Sequence, residues 1–195
     1  MAVIDSRSAG VLTPLETANT GEVETRLRLF VSAITGLDKS VVRERWYQKP
    51  ATQPPFGSDW CAVGVVRVRS WGNPDFHGSK GDIEQPESGD VVSQRHQTLY
   101  CVATFYGPNA QENADLLRDG LGIPQNNSWF ETQGLTVQNV DDEATHAPEF
   151  INQQWLDRYD LSFQIGRKTQ RTFGVRTIAN ADFEIITEKG KLENG

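Results

Sequence analysis

The side chains that could carry catalytic or metal chemistry are scattered along this chain of 195 residues. Its histidines, His77, His96 and His146, lie in three different segments, and none stands near a cysteine or a second histidine at metal-ligand spacing. The sequence also lacks a glycine-rich phosphate loop and the Gly-x-Ser-x-Gly turn of a serine hydrolase. It therefore predicts no catalytic residue, no metal and no cofactor.

Acidic residues form a second group that could do chemistry. Residues 141–143 (Asp-Asp-Glu) precede His146, and carboxylates can bind a cation, but the spacing does not match a calcium-binding helix-loop-helix. Glu149 and Asp157 could act as paired carboxylates only if the fold brought them into one cleft. We interpret this segment as a solvated acidic loop.

Arginines and large aromatic residues form a third group. Arg67, Arg69 and Arg95 fall in strand-like runs and could share one face of a sheet. Such a face is either solvated and salt-bridged or in contact with phosphate groups, and the sequence favours the first interpretation. Several aromatic residues near predicted strand ends and loops are either core edges or interface anchors: Trp46, Tyr47, Trp60, Trp71 and Trp129.

Composition narrows the function further. A formal net charge of −7 excludes a protein that binds nucleic acid over its whole surface, because phosphate binding requires clustered Lys and Arg. An acidic surface could still line a passage for DNA. Cys61 and Cys101 lie in strand-like runs and are expected to be buried rather than disulfide-bonded. With no signal-peptide pattern and no bilayer-spanning stretch, we expect a soluble protein folding in a reducing cytoplasm.

The elements that must position these residues are organised around residues 94–121. Alternating residues predict a central strand with both faces at least partly covered, one face being Leu99, Cys101, Ala103 and Phe105. After it, Asn109 can cap a helix and Gly122 can end it. The apolar stripe of that helix is Ala110, Ala114, Leu117 and Leu121, widened by Leu116.

The same patterns predict the other elements. A first helix is expected over residues 20–35, with Asn19 and Glu22 as a capping box. Strands are expected at 41–48, 60–70, 135–140 and 157–167, and loops at 49–58, 71–90 and 125–134. We predict that six apolar side chains meet around the central strand: Leu27, Phe30, Phe105, Leu117, Phe163 and Ile165.

This order of elements resembles the neck or tail terminator proteins of long-tailed phages. The resemblance covers roughly residues 20–187. It rests on the helix ending in Thr-Gly-Leu, the strand with Trp46 and Gln48, the Pro-rich loop, QRHQTLYCVATFYG with the following helix, and WLDRYDLSFQIGRKTQ. It implies an α+β fold, a mixed and mostly antiparallel sheet packed by helices, which agrees with the order of strands and helices predicted above.

The resemblance also implies a structural virion protein without catalytic residues. Such proteins form a ring of six at the neck, end the tail tube and meet the head connector, so the implied partners are copies of the chain, the connector or adaptor, and tube and sheath proteins. DNA would pass through the lumen without specific binding. The implied location is the virion neck and tail, with assembly in the host cytoplasm.

Two other classes stay open. One is a different virion component, such as a head connector, tube or baseplate protein. The other is an enzyme or ligand-binding domain whose site is assembled from distant residues. Negative-stain imaging separates them, because a ring favours the virion components and a monomer with a deep pocket favours the enzyme.

We predict an N-terminal arm at 1–18, an α+β domain at 19–167 and a C-terminal extension at 168–195. The loops 49–58 and 71–90 and the extension carry large apolar groups that a lone domain would leave exposed. These are the candidate interface residues: Phe56, Trp71, Phe76, Phe173, Val175, Ile178, Phe183 and Ile185. We expect the extension, with Ile186, to reach a neighbouring subunit or a partner protein by strand addition.

Overall fold

A computed structural model describes residues 2–3, 6, 9–17, 23–46, 54–78, 89–151 and 153–175. The chain divides into two compact units. The larger unit comprises residues 17–75 and 94–170, and the smaller unit comprises the described residues among 1–16, 76–93 and 171–195. The predicted α+β fold with a mixed, mostly antiparallel sheet is confirmed.

The helices are α1 (Val23–Thr35), α2 (Ala110–Gly122) and α3 (Pro124–Thr132). The strands are β1 (Ala2–Val3), β2 (Val11–Leu12), β3 (Glu16–Thr17), β4 (Val42–Glu44), β5 (Trp60–Ser70), β6 (Asp75–Gly78), β7 (Asp90–Tyr106), β8 (Leu135–Val140), β9 (Thr145–His146), β10 (Glu149–Ile151), β11 (Gln154–Leu156) and β12 (Arg158–Gly174).

The sheet of the larger unit runs in the order β12, β7, β5, β4, with β8 and β9 also paired to β12. β5 and β7 are antiparallel from the Trp60–Tyr106 pair to the Ser70–Gln97 pair, and the register shifts between Val65 and Arg67. β4 is parallel to β5, whereas β8 is antiparallel to β12. β10 and β11 form a separate antiparallel hairpin.

The smaller unit contains short pairings. β1 and β2 are parallel, with Ala2 opposite Val11. The Ser6 amide donates to the Gly174 carbonyl at 3.0 Å, and the Leu15 amide donates to the Thr172 carbonyl at 2.7 Å. The predicted N-terminal arm therefore includes segments that bond to the end of β12.

The core lies between the three helices and one face of the sheet. The side chains predicted to meet around the central strand are all buried there: Leu27, Phe30, Phe105, Leu117, Phe163 and Ile165. On the other face of β7, Thr98 and Thr104 are buried and Tyr100 is partly covered, as expected for a strand shielded on both sides.

The α2 helix differs from its prediction in two details. Leu116 does not widen the buried stripe, because its side chain is exposed. Asn109 makes no side-chain cap bond to the helix. Its side-chain amide instead donates to Asp59, as does its backbone amide, so the predicted capping role is wrong.

The predicted loop at 125–134 is wrong over most of its length. Residues Pro124–Thr132 form α3, with Pro124 in the first turn, where proline needs no amide partner and its fixed φ suits a helix. The side chain of Phe130 is buried, and its ring centre lies 4.4 Å from that of Phe30. Pro124 thus begins a second helix rather than only ending the first.

Other boundaries also move. The predicted loop 71–90 contains β6 and the first residue of β7, and the acidic segment contains β9 and β10. The predicted strand at 41–48 is reduced to β4 among the described residues. β12 continues past Arg167 to Gly174. The capping pair Asn19 and Glu22 lies outside the described residues.

Candidate functional site

The described histidines and acidic residues do not assemble into a metal site. Within the described ranges, no group of three or more His, Cys, Asp or Glu side chains could hold an ion. The side chains of residues 141–143 are exposed. His146 stacks on Tyr159 with ring centres 4.6 Å apart, and its Nε2 lies 3.4 Å from a carboxylate oxygen of Asp157.

Two carboxylates, those of Glu149 and Asp160, are neutralised by one arginine. Arg158 donates from Nη1 to Glu149, and it donates from Nη2 and Nε to the two oxygens of Asp160 at 2.7 and 3.0 Å. The hydrogen bonds to Asp160 raise the pKa of Arg158, so the guanidinium stays charged. Glu149 does not pair with Asp157, and this cluster is a structural ion-pair network rather than an acid–base pair.

The cysteines are buried, as predicted, and they are not joined in a disulfide. Burial raises the pKa of the Cys61 thiol and raises that of Cys101 to about 12. A nucleophilic or metal-binding cysteine needs the thiolate form. Both side chains therefore act as small core residues.

An exposed face combines arginines with aromatic rings. Arg67 and Arg69 on β5 lie opposite Tyr100 and Thr98 on β7. The guanidinium carbon of Arg67 lies 3.9 Å from the centre of the Tyr100 ring, and that of Arg69 lies 5.3 Å from the centre of the Trp71 ring. Hydrogen bonding from Arg69 and Arg67 lowers the pKa of Tyr100. We call Arg67, Arg69, Trp71 and Tyr100 the arginine–aromatic face.

Hydrogen bonds fix this face to the sheet. The Trp71 Nε1 donates to Thr98 Oγ1 at 2.7 Å, and that hydroxyl donates to Gln138 Oε1 at 2.8 Å. Trp71 is therefore anchored by its polar edge although its ring is exposed. Arg95 does not share this face: it precedes Thr98 by three residues, and strand alternation places it on the opposite side.

A second exposed surface is apolar. A cleft of about 220 Å³, here called the aromatic cleft, is lined by Pro54, Pro55, Phe56, Trp60, Ile151, Gln154 and Leu156. On the same β10–β11 hairpin, Phe150 and Trp155 are 60% and 67% exposed, with ring centres 5.2 Å apart. Phe150 and Trp155 were not predicted from the sequence. They are cross-strand partners in the hairpin EFINQQWL, and their equal distance from its turn could have indicated this pairing.

The candidate interface residues fall into three sets. Phe56, Trp71 and Phe76 are exposed, at 62%, 54% and 65%. Phe173 and Val175 are partly buried. Ile178, Phe183 and Ile185 lie outside the described residues, as does Tyr47. Their contact with other chains stays a prediction.

One family model matches most of the chain. The family model described as "phage neck terminator protein" matches residues 21–190. No curated protein matches the chain. In the part of the chain that the structure describes, none of the helices combines the length and the apolar character needed to cross a bilayer.

Proposed function

The chain belongs to the phage neck terminator protein family, and from this membership we propose that six copies form a ring that ends the tail tube and joins it to the head connector. The family is one of structural proteins of the phage neck, so the virion neck is where the chain would act. The connector or adaptor and the tube and sheath proteins are its proposed partners. Assembly would take place in the host cytoplasm.

The observation that supports a ring is the presence of two different exposed surfaces on one strand. The aromatic cleft includes Trp60 at the start of β5, and the arginine–aromatic face includes Arg67 and Arg69 near its end. At about 3.3 Å per residue these surfaces are roughly 25–30 Å apart. Ring closure requires heterologous contacts, in which one patch meets a different patch on the next copy.

The net charge of −7 supports a lumen through which DNA passes without specific binding. A phosphate backbone is repelled by carboxylates and is retained only where lysines and arginines cluster.

Mass measurement and imaging of the purified full-length protein test the ring. We expect a mass of six chains by light scattering and a ring with six-fold symmetry in negative stain. A chain that remains monomeric, both alone and on isolated tail tubes, would refute the ring. A ring found only at the connector, within the tube or in the baseplate would assign the chain to another virion component.

A further inference from the structure

Among the described residues, β4 covers only part of the second edge of β5. β7 pairs with one edge of this strand along its length, whereas β4 pairs with the other edge only from Cys61 to Val63. The Arg45 amide adds one bond to the Val63 carbonyl, and the Trp46 indole donates to the Val65 carbonyl at 3.3 Å. Among the described residues, nothing pairs with this edge from residue 66 to residue 70.

Residues 66–70, whose second edge is paired with no described strand, have a distinctive pattern of side chains. Val66 and Val68 are 45% and 47% exposed, and they alternate in sequence with the exposed Arg67 and Arg69. Neither guanidinium forms an ion pair with any described residue. An edge that exposes both backbone bonding groups and valine side chains is suited to pairing with another strand. Its two arginines, which no described carboxylate neutralises, would select a strand that carries carboxylates.

We propose that this edge of β5 receives residues 182–187 from the C-terminus of a second copy. The proposal rests on the ring of the preceding section and names the contact that closes it. The sequence of this segment, DFEIIT, places Asp182 and Glu184 two residues apart, as Arg67 and Arg69 are. Phe183 and Ile185 fall on the alternate face of an extended strand, as Val68 does on β5.

The length of chain after the end of β12 allows this reach. β12 ends at Gly174, and six residues lie between Val175 and Asp182, so Asp182 is seven residue steps from Val175. Seven extended residue steps span at most about 25 Å, and this is the greatest distance that the proposed contact allows between Val175 of one copy and the β5 edge of the next. Main-chain bonds would supply affinity, and the two arginine–carboxylate pairs would set register and partner choice.

Cysteine cross-linking between two full-length chains tests the contact. One chain carries Val68→Cys and a differently tagged chain carries Ile185→Cys. The native thiols do not compete, because Cys61 and Cys101 are buried. We expect a disulfide-linked pair containing both tags after mild oxidation. Leu116→Cys, which is 42% exposed on α2, is the matched control for Val68→Cys and should give no pair above background.

Charge reversal tests the proposed selectivity in the same assay. Arg67→Glu with Arg69→Glu in the accepting chain should lower the cross-linked fraction at least about tenfold. Adding Asp182→Lys and Glu184→Lys to the donating chain should restore it, a rescue that a misfolded variant could not give. Equal cross-linking of Val68→Cys and Leu116→Cys, or indifference to charge reversal, would overturn the proposal.

The cross-linking and mass measurements also distinguish a failure of this contact from a failure of the ring. A six-chain mass that survives the arginine reversal leaves the ring standing and overturns the contact. Cross-linked pairs in open chains or dimers support the contact and refute a closed ring. A disulfide formed only within single Val68→Cys/Ile185→Cys chains would overturn exchange between copies.

Discussion

Asp59 accepts two hydrogen bonds from Asn109, one from its backbone amide at 2.9 Å and one from its side-chain amide at 2.7 Å. This pair joins the start of β5 to the turn that leads from β7 into α2. Asn109 therefore orders the start of the helix through the residue that precedes β5, rather than by capping the helix itself.

Asp59→Ala should lower the free energy of unfolding by about 1–2 kcal/mol, because it leaves both Asn109 donors without this acceptor. Urea unfolding followed by tryptophan fluorescence measures the change. Asp142→Ala is the control, since with respect to the described residues Asp142 accepts a hydrogen bond only at its backbone carbonyl, from Arg118. Equal stability of the two variants would contradict the linking role of Asp59.

Gly107→Ala should cost more, because Gly107 has a φ of +107° and its missing Cβ would lie 2.6 Å from the Ser58 carbonyl oxygen. Strain of this kind costs about 1–3 kcal/mol before the clash with backbone is added. The unfolding temperatures of Gly107→Ala and Gly122→Ala compare a crowded glycine with an uncrowded one at the two ends of α2. Gly122 has open space around its Cβ position, so its replacement should leave the unfolding temperature nearly unchanged.

The order of the main elements was predictable because their periodicity reflects one buried face. α2 buries residues three and four positions apart and β12 buries alternate residues, because each packs one face against the core. α3 was missed because Pro124 serves equally as the end of one helix and the first turn of another, and only the burial of Phe130 distinguishes them. Leu116 shows the converse, since one more apolar residue beside a stripe need not be buried.

The candidate surfaces were less predictable because they depend on which strands become neighbours. Exposed Trp71 and Phe56 could be identified from their polar, proline-rich surroundings. The pairing of Arg67 with Tyr100 could not, because it depends on the register between β5 and β7 and on the shift after Val65. The same register decides that Arg95 lies on the sheet face opposite to Arg67 and Arg69, because these two arginines pair with Tyr100 and Thr98.

Phe163→Ala should lower the free energy of unfolding by about 3–5 kcal/mol, since its side chain is 2% exposed and lies in the core between sheet and helices. Chemical denaturation of the full-length protein provides the value. Leu116→Ala, which removes a large apolar side chain from the exposed face of α2, should change it by less than about 1 kcal/mol. A loss below about 1 kcal/mol for Phe163→Ala would contradict the observed packing.

The two buried thiols should make the protein less stable in alkali. Burial raises the pKa of Cys101 to about 12, so the folded protein holds the thiol proton more tightly than the unfolded chain does. The contribution of the neutral thiol to the free energy of unfolding is therefore fully present below the unfolded pKa of about 8.5. It is lost as the pH rises from there toward 12. We expect the free energy of unfolding to fall less steeply over this range in Cys61→Ala/Cys101→Ala than in the unmodified chain.

Ellman's reagent provides an independent measurement on the same protein. Native Cys61 and Cys101 should react only as fast as the protein opens, whereas a cysteine placed at the exposed Leu116 should react at once. Rapid labelling of both native thiols under folding conditions would contradict their burial.

The last prediction concerns where the C-terminal arm can be removed. Deleting residues 176–195 keeps all of β12 and should leave the unfolding temperature of the larger unit within a few degrees of full length. All five tryptophans lie in that unit, so fluorescence reports its unfolding alone. The same deletion should reduce the mass in solution from a ring to single chains, because it removes the proposed donor strand.

Deleting residues 169–195 should instead damage the fold, and this contrast makes the test specific. Thr169 is buried and its hydroxyl donates to the Arg95 carbonyl at 3.3 Å, while Gln170 donates to Gln94 at 3.2 Å across the β12–β7 pair. Losing these residues takes the end of β12 away from β7 and should lower the unfolding temperature clearly. If the ring persists after deletion of residues 176–195 and tails still join heads normally, the proposed role of the arm is refuted. If that deletion gives monomers with an unchanged unfolding temperature, the arm acts in assembly rather than in folding.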